Sequence, residues 1–415
     1  MSSAPDCRSC GAPLRHTFVD LGEQPLSNGF LTREQLEAGD DPRYPLHARV
    51  CEQCLLVQVD EVVPANAIFS DTYAYFSSYS QSWLDHAARY AETSSERVGL
   101  DPSSLVIEVA SNDGYLLRNF VAAGIPVLGV EPSANVAGVA VAAGIPTDVE
   151  FFGTEHARTI RGRRLAADLV VANNVFAHIP ALNDFTSGLA AVLKPEGVLT
   201  IEVQHLLRLI EHVEFDTIYH EHYYYYSLLA ARTVLGRAGL RIFDVEELST
   251  HGGSLRMWVS LDEAAEAWPQ TEAVERVLES ERAAGLGSLE TYAAFAPRVA
   301  RVLDELRSFL REAQAEGARV AAYGAAAKGN TLLNSAGVGP DDISYVVDRS
   351  PHKQGLFTPG SHLPVLDPEQ VCDDRPEYLL LLAWNLRNEI TQQMAYVRDW
   401  GCRFVVPVPR LEVFP

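Results

Sequence analysis

The sequence predicts an α/β protein made of two parallel-sheet domains behind a small, turn-rich lobe held together by a bound ion. Short β-branched runs alternate with helical stretches, the signature of a parallel sheet covered by helices. This happens twice, and each time a strand leads into a loop of small residues and glycine, Glu108-Val-Ala-Ser-Asn-Asp-Gly114 and Val320-Ala-Ala-Tyr-Gly-Ala-Ala-Ala-Lys-Gly329. Ahead of both stand two tight cysteine pairs, Cys7-x-x-Cys10 and Cys51-x-x-Cys54. Each pair brings two thiolates to one face of a knuckle, and together they complete the four-sulfur tetrahedral shell of a structural Zn²⁺. Four cysteines leave no open position, so the metal is expected to be structural.

Disulfides are the competing reading of these cysteines. Residues 1 to 6 carry neither a basic start nor an apolar core, so a reducing, cytoplasmic compartment is expected instead. Cys372 and Cys402 read as ordinary buried thiols. At 415 residues with 47% hydrophobic content the chain is long enough for two to four domains. No run approaches the roughly 18 apolar residues of a membrane span. A formal charge of −22 argues against nucleic acid as a partner. Lys194, Lys328 and Lys353 are the only lysines.

Four segments follow from the pattern. Residues 1–72 form the zinc lobe, too small to build a large core alone. Residues 73–262 form the first α/β domain, with strands expected at 105–109, 127–130, 168–172 and 198–202. Residues 263–316 carry Val299, Val302, Leu303, Leu306, Phe309 and Leu310 at helical spacing and read as a helical connector. Residues 317–415 form the second α/β domain, with a strand-loop-helix unit over 320–329 and strands at 343–347, 378–383 and 404–406. Sustained heptads are absent, so a monomer or weak homodimer is expected.

The chemistry begins at the first loop. Glu108 ends a strand, and Ser111, Asn112 and Gly114 let backbone approach a ligand at the mouth of the sheet. Neither a phosphate loop nor the G-x-G-x-x-G fingerprint is present. About twenty residues on, the next strand ends at Glu131-Pro132, a carboxylate placed for the hydroxyls of a ribose. Tyr219-His220-Glu221-His222 concentrates a phenol, a carboxylate and two imidazoles beside Tyr223 to Tyr226, which read as packing residues. Histidine is the side chain whose resting pKa suits a base at neutral pH. In the second domain the Gly324 to Asn330 loop opens a helix, where Lys328 adds charge suited to a diphosphate. Asn330, Asn385 and Trp384 are further substrate-side candidates, the last as a stacking surface. His251-Gly-Gly253 reads as a tight turn, either structural or near a ligand.

These motifs resemble the class I S-adenosylmethionine methyltransferases, and within them the bacterial nucleotide-sugar C-methyltransferases acting on dTDP-4-keto-6-deoxyhexoses. The resemblance rests on the cysteine pairs, Tyr73-Ala-Tyr75-Phe-Ser-Ser, Ser111-Asn-Asp-Gly, Asn173-Asn-Val-Phe-Ala-His-Ile-Pro180, Tyr219-His-Glu-His222 and His251-Gly-Gly-Ser-Leu-Arg256, and so spans nearly the whole chain. It implies a central Rossmann-like methyltransferase domain between the zinc lobe and a second Rossmann-like α/β domain that binds the nucleotide sugar. Ser111 and Gly114 would line the methionine side of the donor. Glu131 would hold the ribose, Phe152 would flank the adenine, and Asn173 would contribute from a later strand end. The base role falls to His222, with Tyr219 and Glu221 near the reacting centre and His178 and Tyr73 touching the keto or enolate oxygen; Tyr75 is the alternative to Tyr73. Ala110 departs from the family's usual glycine, at little cost if the backbone there is extended. The implied reaction is methylation at carbon 3 of the sugar, with carbon 5 or a non-catalytic binding protein as alternatives.

Overall fold

The structure, a computed structural model, describes residues 4–60, 62–64, 77–79 and 81–415. Its frame is three sheets. The first is antiparallel, ordered β1 (His16–Pro25), β2 (Arg43–Val50), β3 (Val57–Val59) and β9 (Tyr224–Tyr225). Residues 60–223 of the chain separate its last two strands. The sequence reading gave the 223–226 run a packing role only; Tyr224 and Tyr225 are buried, and they also pair through their backbone with Gln58 and Val57.

The second sheet carries β4 (Val106–Val109), β5 (Val127–Val130), β6 (Thr147–Asp148), β7 (Ala167–Val171) and β8 (Leu193–Gln204) in parallel, then the antiparallel pair β10 (Leu240–Leu248) and β11 (Ser254–Leu261). Its order is β10-β11-β8-β7-β4-β5-β6. All four residues of β4 are buried, as expected for a strand covered by helices on both faces. The chain leaves β4 for β5 on one side and later places β7 on the other. A crevice therefore opens at the carboxyl end of β4, where ligands bind in such sheets.

The third sheet repeats this logic with β12 (Val320–Tyr323), β13 (Val346–Val347), β14 (Val365–Leu366), β15 (Tyr378–Leu381), β16 (Arg403–Val406) and β17 (Glu412–Phe414), in the order β14-β13-β12-β15-β16-β17. Only β17 runs antiparallel. The strands expected from the sequence all appear: β4, β13 and β15 are shorter than expected, β8 and β16 longer, and β7 is shifted by one residue. Cys402 is buried as expected, whereas Cys372 is exposed on the short helix Gln370–Asp374.

The helix Phe295–Ala315 buries Phe295, Val299, Val302, Leu303, Leu306, Phe309, Leu310 and Ala313, one stripe at three- and four-residue spacing. That stripe shares a core with Phe18, Leu46 and Ala48 of the zinc lobe and with Leu332, Leu333 and Leu380 of the third sheet's domain. Phe18 stacks on Phe295 at 4.4 Å. What the sequence suggests is a connector is a wedge between two domains. A different part of the zinc lobe, with Cys7, Leu14, Cys51 and Leu56, joins the central core beside Phe176 and Tyr224. No described helix is long and apolar enough to cross a membrane.

One buried carboxyl pins the helix Leu228–Gly236 to this frame. Glu281 accepts from the Leu228 amide at 2.5 Å, the Leu229 amide at 2.9 Å and His205 Nε2 at 2.8 Å, with no exposure to solvent. Glu281→Ala strips three buried donors of their acceptor and is expected to lower unfolding stability by about 3 kcal/mol. Urea unfolding followed by tryptophan fluorescence checks this, and a loss below about 1 kcal/mol would show the pin to be dispensable.

Candidate active site

The four cysteine sulfurs lie within 4.8 Å of one another. Cys7 and Cys54 are 3.6 Å apart, Cys10 and Cys51 3.4 Å. Zinc–sulfur bonds of about 2.3 Å in a tetrahedron require sulfurs about 3.8 Å apart, so the cluster fits the ion with only small shifts of its sulfurs. Two matching knuckles build it. The Gly11 amide donates to the Cys7 carbonyl at 2.8 Å and the Leu55 amide to the Cys51 carbonyl at 2.9 Å, with Gly11 (φ 76°) and Leu55 (φ 58°) both left-handed.

Where β4 ends, the loop turns through Ala110 (φ 57°), Asn112 (φ 50°) and Gly114 (φ 79°). Ala110 is therefore not extended, contrary to the condition under which alanine would be harmless there. Its Cβ pays a steric cost of about 1 kcal/mol that glycine would avoid. Glu131, at the end of β5, secures the loop: its Oε2 accepts from the Asn112 amide at 3.1 Å and its Oε1 from the Ser133 amide at 2.9 Å. Burial raises the pKa of Glu131, and those two amides oppose the rise. Glu108 is pushed well above the carboxylate range by burial, then by Glu131 and Asp113.

A cavity of about 1370 Å³ runs from this loop to the third sheet's domain. Asn112, Glu131, Pro132, Phe152 and Asn173 line it, whereas Glu108, Ser111 and Gly114, expected at the donor, are buried in β4 and its loop and do not. Gly114 is required by packing, because a Cβ there would meet Ile145 Cδ1 at 2.3 Å. Phe152 sits edge-on to Phe185 at 5.6 Å.

The opposite wall is the segment between the 3₁₀ turn Phe215–Thr217 and β9. His222 Nδ1 donates to the Thr217 carbonyl at 2.9 Å, which leaves the lone pair on Nε2, where the Tyr219 hydroxyl donates at 2.9 Å. The ring of His178 stands across that of His222 at 4.7 Å, and its Nδ1 donates to the Glu221 carbonyl at 2.8 Å. Tyr219, Glu221, His222 and His178 all line the cavity. Tyr73 and Tyr75 lie outside the described residues. His220 turns away and bonds the Pro45 carbonyl at 3.2 Å, so it and His222 do not form a metal pair.

Burial dominates the electrostatics. It lowers His222 well below the usual imidazole range, with His178 and Lys328 adding to the effect. His178 and His251 fall to about 4 by burial. Two carboxyls move the other way: Glu221 rises to about 7 despite a hydrogen bond from Asn28, and Asp216 to about 7 despite the nearby Lys328 charge.

Among the predicted substrate residues, Lys328 and Asn385 line the cavity, and Trp384 and Asn330 do not. Trp384 donates to Asp216 Oδ2 at 2.6 Å and carries the Lys328 ammonium over its ring at 5.0 Å. Lys328 Nζ is shielded from solvent and has no hydrogen-bond acceptor among the described residues. Asn330 is buried and donates to the Ser27 carbonyl at 2.7 Å.

Three contributors escaped the sequence reading: Asn28 from the zinc lobe, and the His86–Glu202 pair on the cavity wall. Burial alone would raise Glu202, but His86 and Arg256 outweigh it and hold its pKa low. Glu202 was visible as the end of a strand; nothing local marks Asn28 or His86.

A parallel sheet with an acid-ended nucleoside crevice, an antiparallel pair at one edge and a four-cysteine lobe define an S-adenosylmethionine-dependent methyltransferase with a structural zinc site. Family profiles agree: a zinc binding domain matches residues 7–69, a methyltransferase domain residues 79–245, and a C-methyltransferase C-terminal domain residues 249–409. The chain is 37% identical over 408 residues to C-methyltransferase NovU of Streptomyces niveus, covering 98% of this chain and 96% of that one. It belongs to this family of C-methyltransferases and is an enzyme, so the non-catalytic alternative falls away. Solved structures similar to it include an S-adenosylmethionine-dependent methyltransferase from Clostridium acetobutylicum (12% identity, 43% of this chain, 92% of that one, TM-score 0.35). Magnesium protoporphyrin IX methyltransferase from Synechocystis with bound S-adenosylmethionine is another (17% identity, 47% and 88%, TM-score 0.32). Likenesses this distant carry no argument about this chain.

Two outcomes follow from the geometry. Cys51→Ser is expected to lose stoichiometric zinc, measured by elemental mass spectrometry, and to unfold the lobe; retention of one tightly held ion per chain would contradict the cluster. For Glu221, a folded-state pKa of about 7 lies above the unfolded value, so the folded chain binds the extra proton between about pH 4 and 7. Stability from this group is present at low pH and lost as pH rises through 7. Glu221→Gln should therefore gain about 2–3 kcal/mol on the parent between pH 5 and pH 8. Urea unfolding at both pH values reads the difference, and an unchanged gap would refute the buried carboxyl.

Proposed function

We propose that the chain methylates carbon 3 of a dTDP-linked 4-keto-6-deoxyhexose, making a branched deoxysugar for an antibiotic or other glycosylated natural product. The observation that carries this reading is the Tyr219–His222 pair, with its lone pair fixed on Nε2, on the wall of the cavity that also holds the nucleoside crevice. The name of the Streptomyces niveus relative, a C-methyltransferase, supports carbon as the acceptor. Carbon 5 flanks the same ketone and is the second reading, since one base geometry serves both.

S-adenosylmethionine supplies an electrophilic methyl group when bound. Glu131 would take its ribose, Phe152 its adenine, and Asn112, Pro132 and Asn173 would line its path, with Glu108, Ser111 and Gly114 shaping the loop behind. A carbon beside a ketone becomes nucleophilic only when its proton leaves. The Tyr219 hydroxyl proton passes to His222 Nε2 as the sugar's α-proton passes to the Tyr219 oxygen. The C–H electron pair becomes the enolate and the positive charge rests on the imidazole.

In the empty cavity that imidazolium is disfavoured by burial and by Lys328. The enolate's negative charge offsets this, so proton transfer is confined to the loaded site. His178 and the Tyr73 hydroxyl would contact the keto oxygen. Lys328 and Asn385 offer an uncommitted ammonium and an amide to the substrate's anionic oxygens, with Trp384 and Asn330 holding that corner in place.

The test is incubation with dTDP-4-keto-6-deoxyhexoses, with and without a 3-amino group, and donor labelled with ¹³C in its methyl. Carbon NMR should place the label on carbon 3. His222→Asn should lower the rate by about 10²–10⁴ with donor affinity by calorimetry unchanged. Label on an oxygen or nitrogen, or a His222→Asn enzyme at full rate, would overturn the proposal.

A further inference from the structure

The zinc lobe reaches into the cavity by a single turn. After β1 the chain passes through Leu26-Ser-Asn-Gly29, closed by the Gly29 amide donating to the Leu26 carbonyl at 2.9 Å. Asn28, at its tip, donates from Nδ2 to Glu221 Oε1 at 2.7 Å, and both residues line the cavity. The neighbouring Ser27 is latched from the far side. Its carbonyl accepts from Asn330 Nδ2 at 2.7 Å, and its hydroxyl bonds the Thr331 hydroxyl at 3.2 Å. Asn330 and Thr331 are buried on the helix Ala327–Ala336, whose first turn also carries Lys328. Three hydrogen bonds at one turn thus join the zinc lobe, the Tyr219–His222 segment and the C-terminal domain.

Glu221 is buried in a place where burial disfavours its charge. A neutral amide donating to one carboxylate oxygen favours the ionised form and fixes the rotation of the group. The second oxygen takes no hydrogen bond among the described residues. We propose that Asn28 is a positioning residue of the methyl-transfer site, holding the Glu221 carboxylate so that its other oxygen accepts a hydrogen bond from a hydroxyl or ammonium of the sugar. The identity of that ligand rests on the sugar reading above; the hold on Glu221 does not. The ionisable groups around this carboxyl are His178, which bonds the Glu221 carbonyl, Tyr219, His220 and His222 on its own segment, and Lys328 and Lys353 on the same cavity's wall.

Infrared difference spectroscopy of the intact, zinc-loaded protein reads the ionisation of Glu221 with no substrate present, the Glu221→Gln protein assigning the band. Asn28→Ala should move the midpoint upward by about one pH unit, the scale of one hydrogen bond to a carboxylate. Asn28→Asp keeps the shape but replaces the donor by an acid, and should move it at least as far. It also serves if the alanine variant does not fold. With sugar and donor, Asn28→Ala should raise the sugar's KM about tenfold, leave the donor's KM unchanged and shift the acid limb of kcat/KM upward. Midpoints that stay at the parent value in folded variants overturn the proposal. Midpoints that move while the parent enzyme methylates no keto sugar sustain the hold on Glu221 and sink the sugar reading instead.

Discussion

Two residue pairs in one ladder, Val57 with Tyr225 and Gln58 with Tyr224, fix in place the segment that forms one wall of the cavity. The segment that carries Tyr219, Glu221 and His222 belongs by sequence to the central domain, yet its downstream end is a strand of the zinc lobe's sheet. Backbone pairing specifies register sharply where both faces are buried, as they are here. The neighbouring Tyr223 amide donates to the Ala177 carbonyl at 2.7 Å, so the same short stretch is tied to the loop after β7 that carries His178. Strand β3 in turn follows directly on the second cysteine knuckle. Zinc, the lobe's sheet and the His222 imidazole form one mechanical chain, which on the proposed mechanism would give a structural metal a catalytic consequence without any chemistry of its own.

Burial sets the protonation states around that imidazole. It favours neutral forms throughout, depressing His178, His222 and His251 and raising Glu221 and Asp216. A cavity of this kind is poor at creating charge when empty and good at confining it when a substrate brings the complementary charge. Lys328 illustrates the same economy. Its ammonium is desolvated, pulled down by burial and partly restored by Asp216 and Glu214, and it rests on the Trp384 ring.

Much of this was legible in the chain. Strands β5, β12 and β15 are continuous apolar runs, and β4 and β7 are apolar but for Glu108 and Asp168, so their burial follows largely from composition, and the cysteine spacing dictates the knuckles. The Tyr219 to His222 cluster announced itself by its density of polar chemistry. What stayed hidden depends on distant partners. Tyr224 and Tyr225 look like core residues because nothing local says which sheet they join. Asn28 sits in an ordinary turn, and its meaning comes from Glu221, 193 positions away. The stripe of Phe295–Ala315 was readable, but not that it would wedge two domains. Ala110 shows the limit of a conditional argument: the residue was noticed, and the left-handed φ that makes it costly was not available from the sequence.

The central claim is that this cavity removes a proton from the carbon next to a ketone through the Tyr219–His222 pair, before and apart from methyl transfer. Deuterium uptake from D₂O into a dTDP-4-keto-6-deoxyhexose, with S-adenosylhomocysteine in place of the donor, isolates that step. The account predicts exchange at the carbon that is later methylated, catalysed by the parent enzyme and abolished in His222→Asn. Undiminished exchange in that variant, or methylation by a parent enzyme that shows no exchange with the donor withheld, would contradict it.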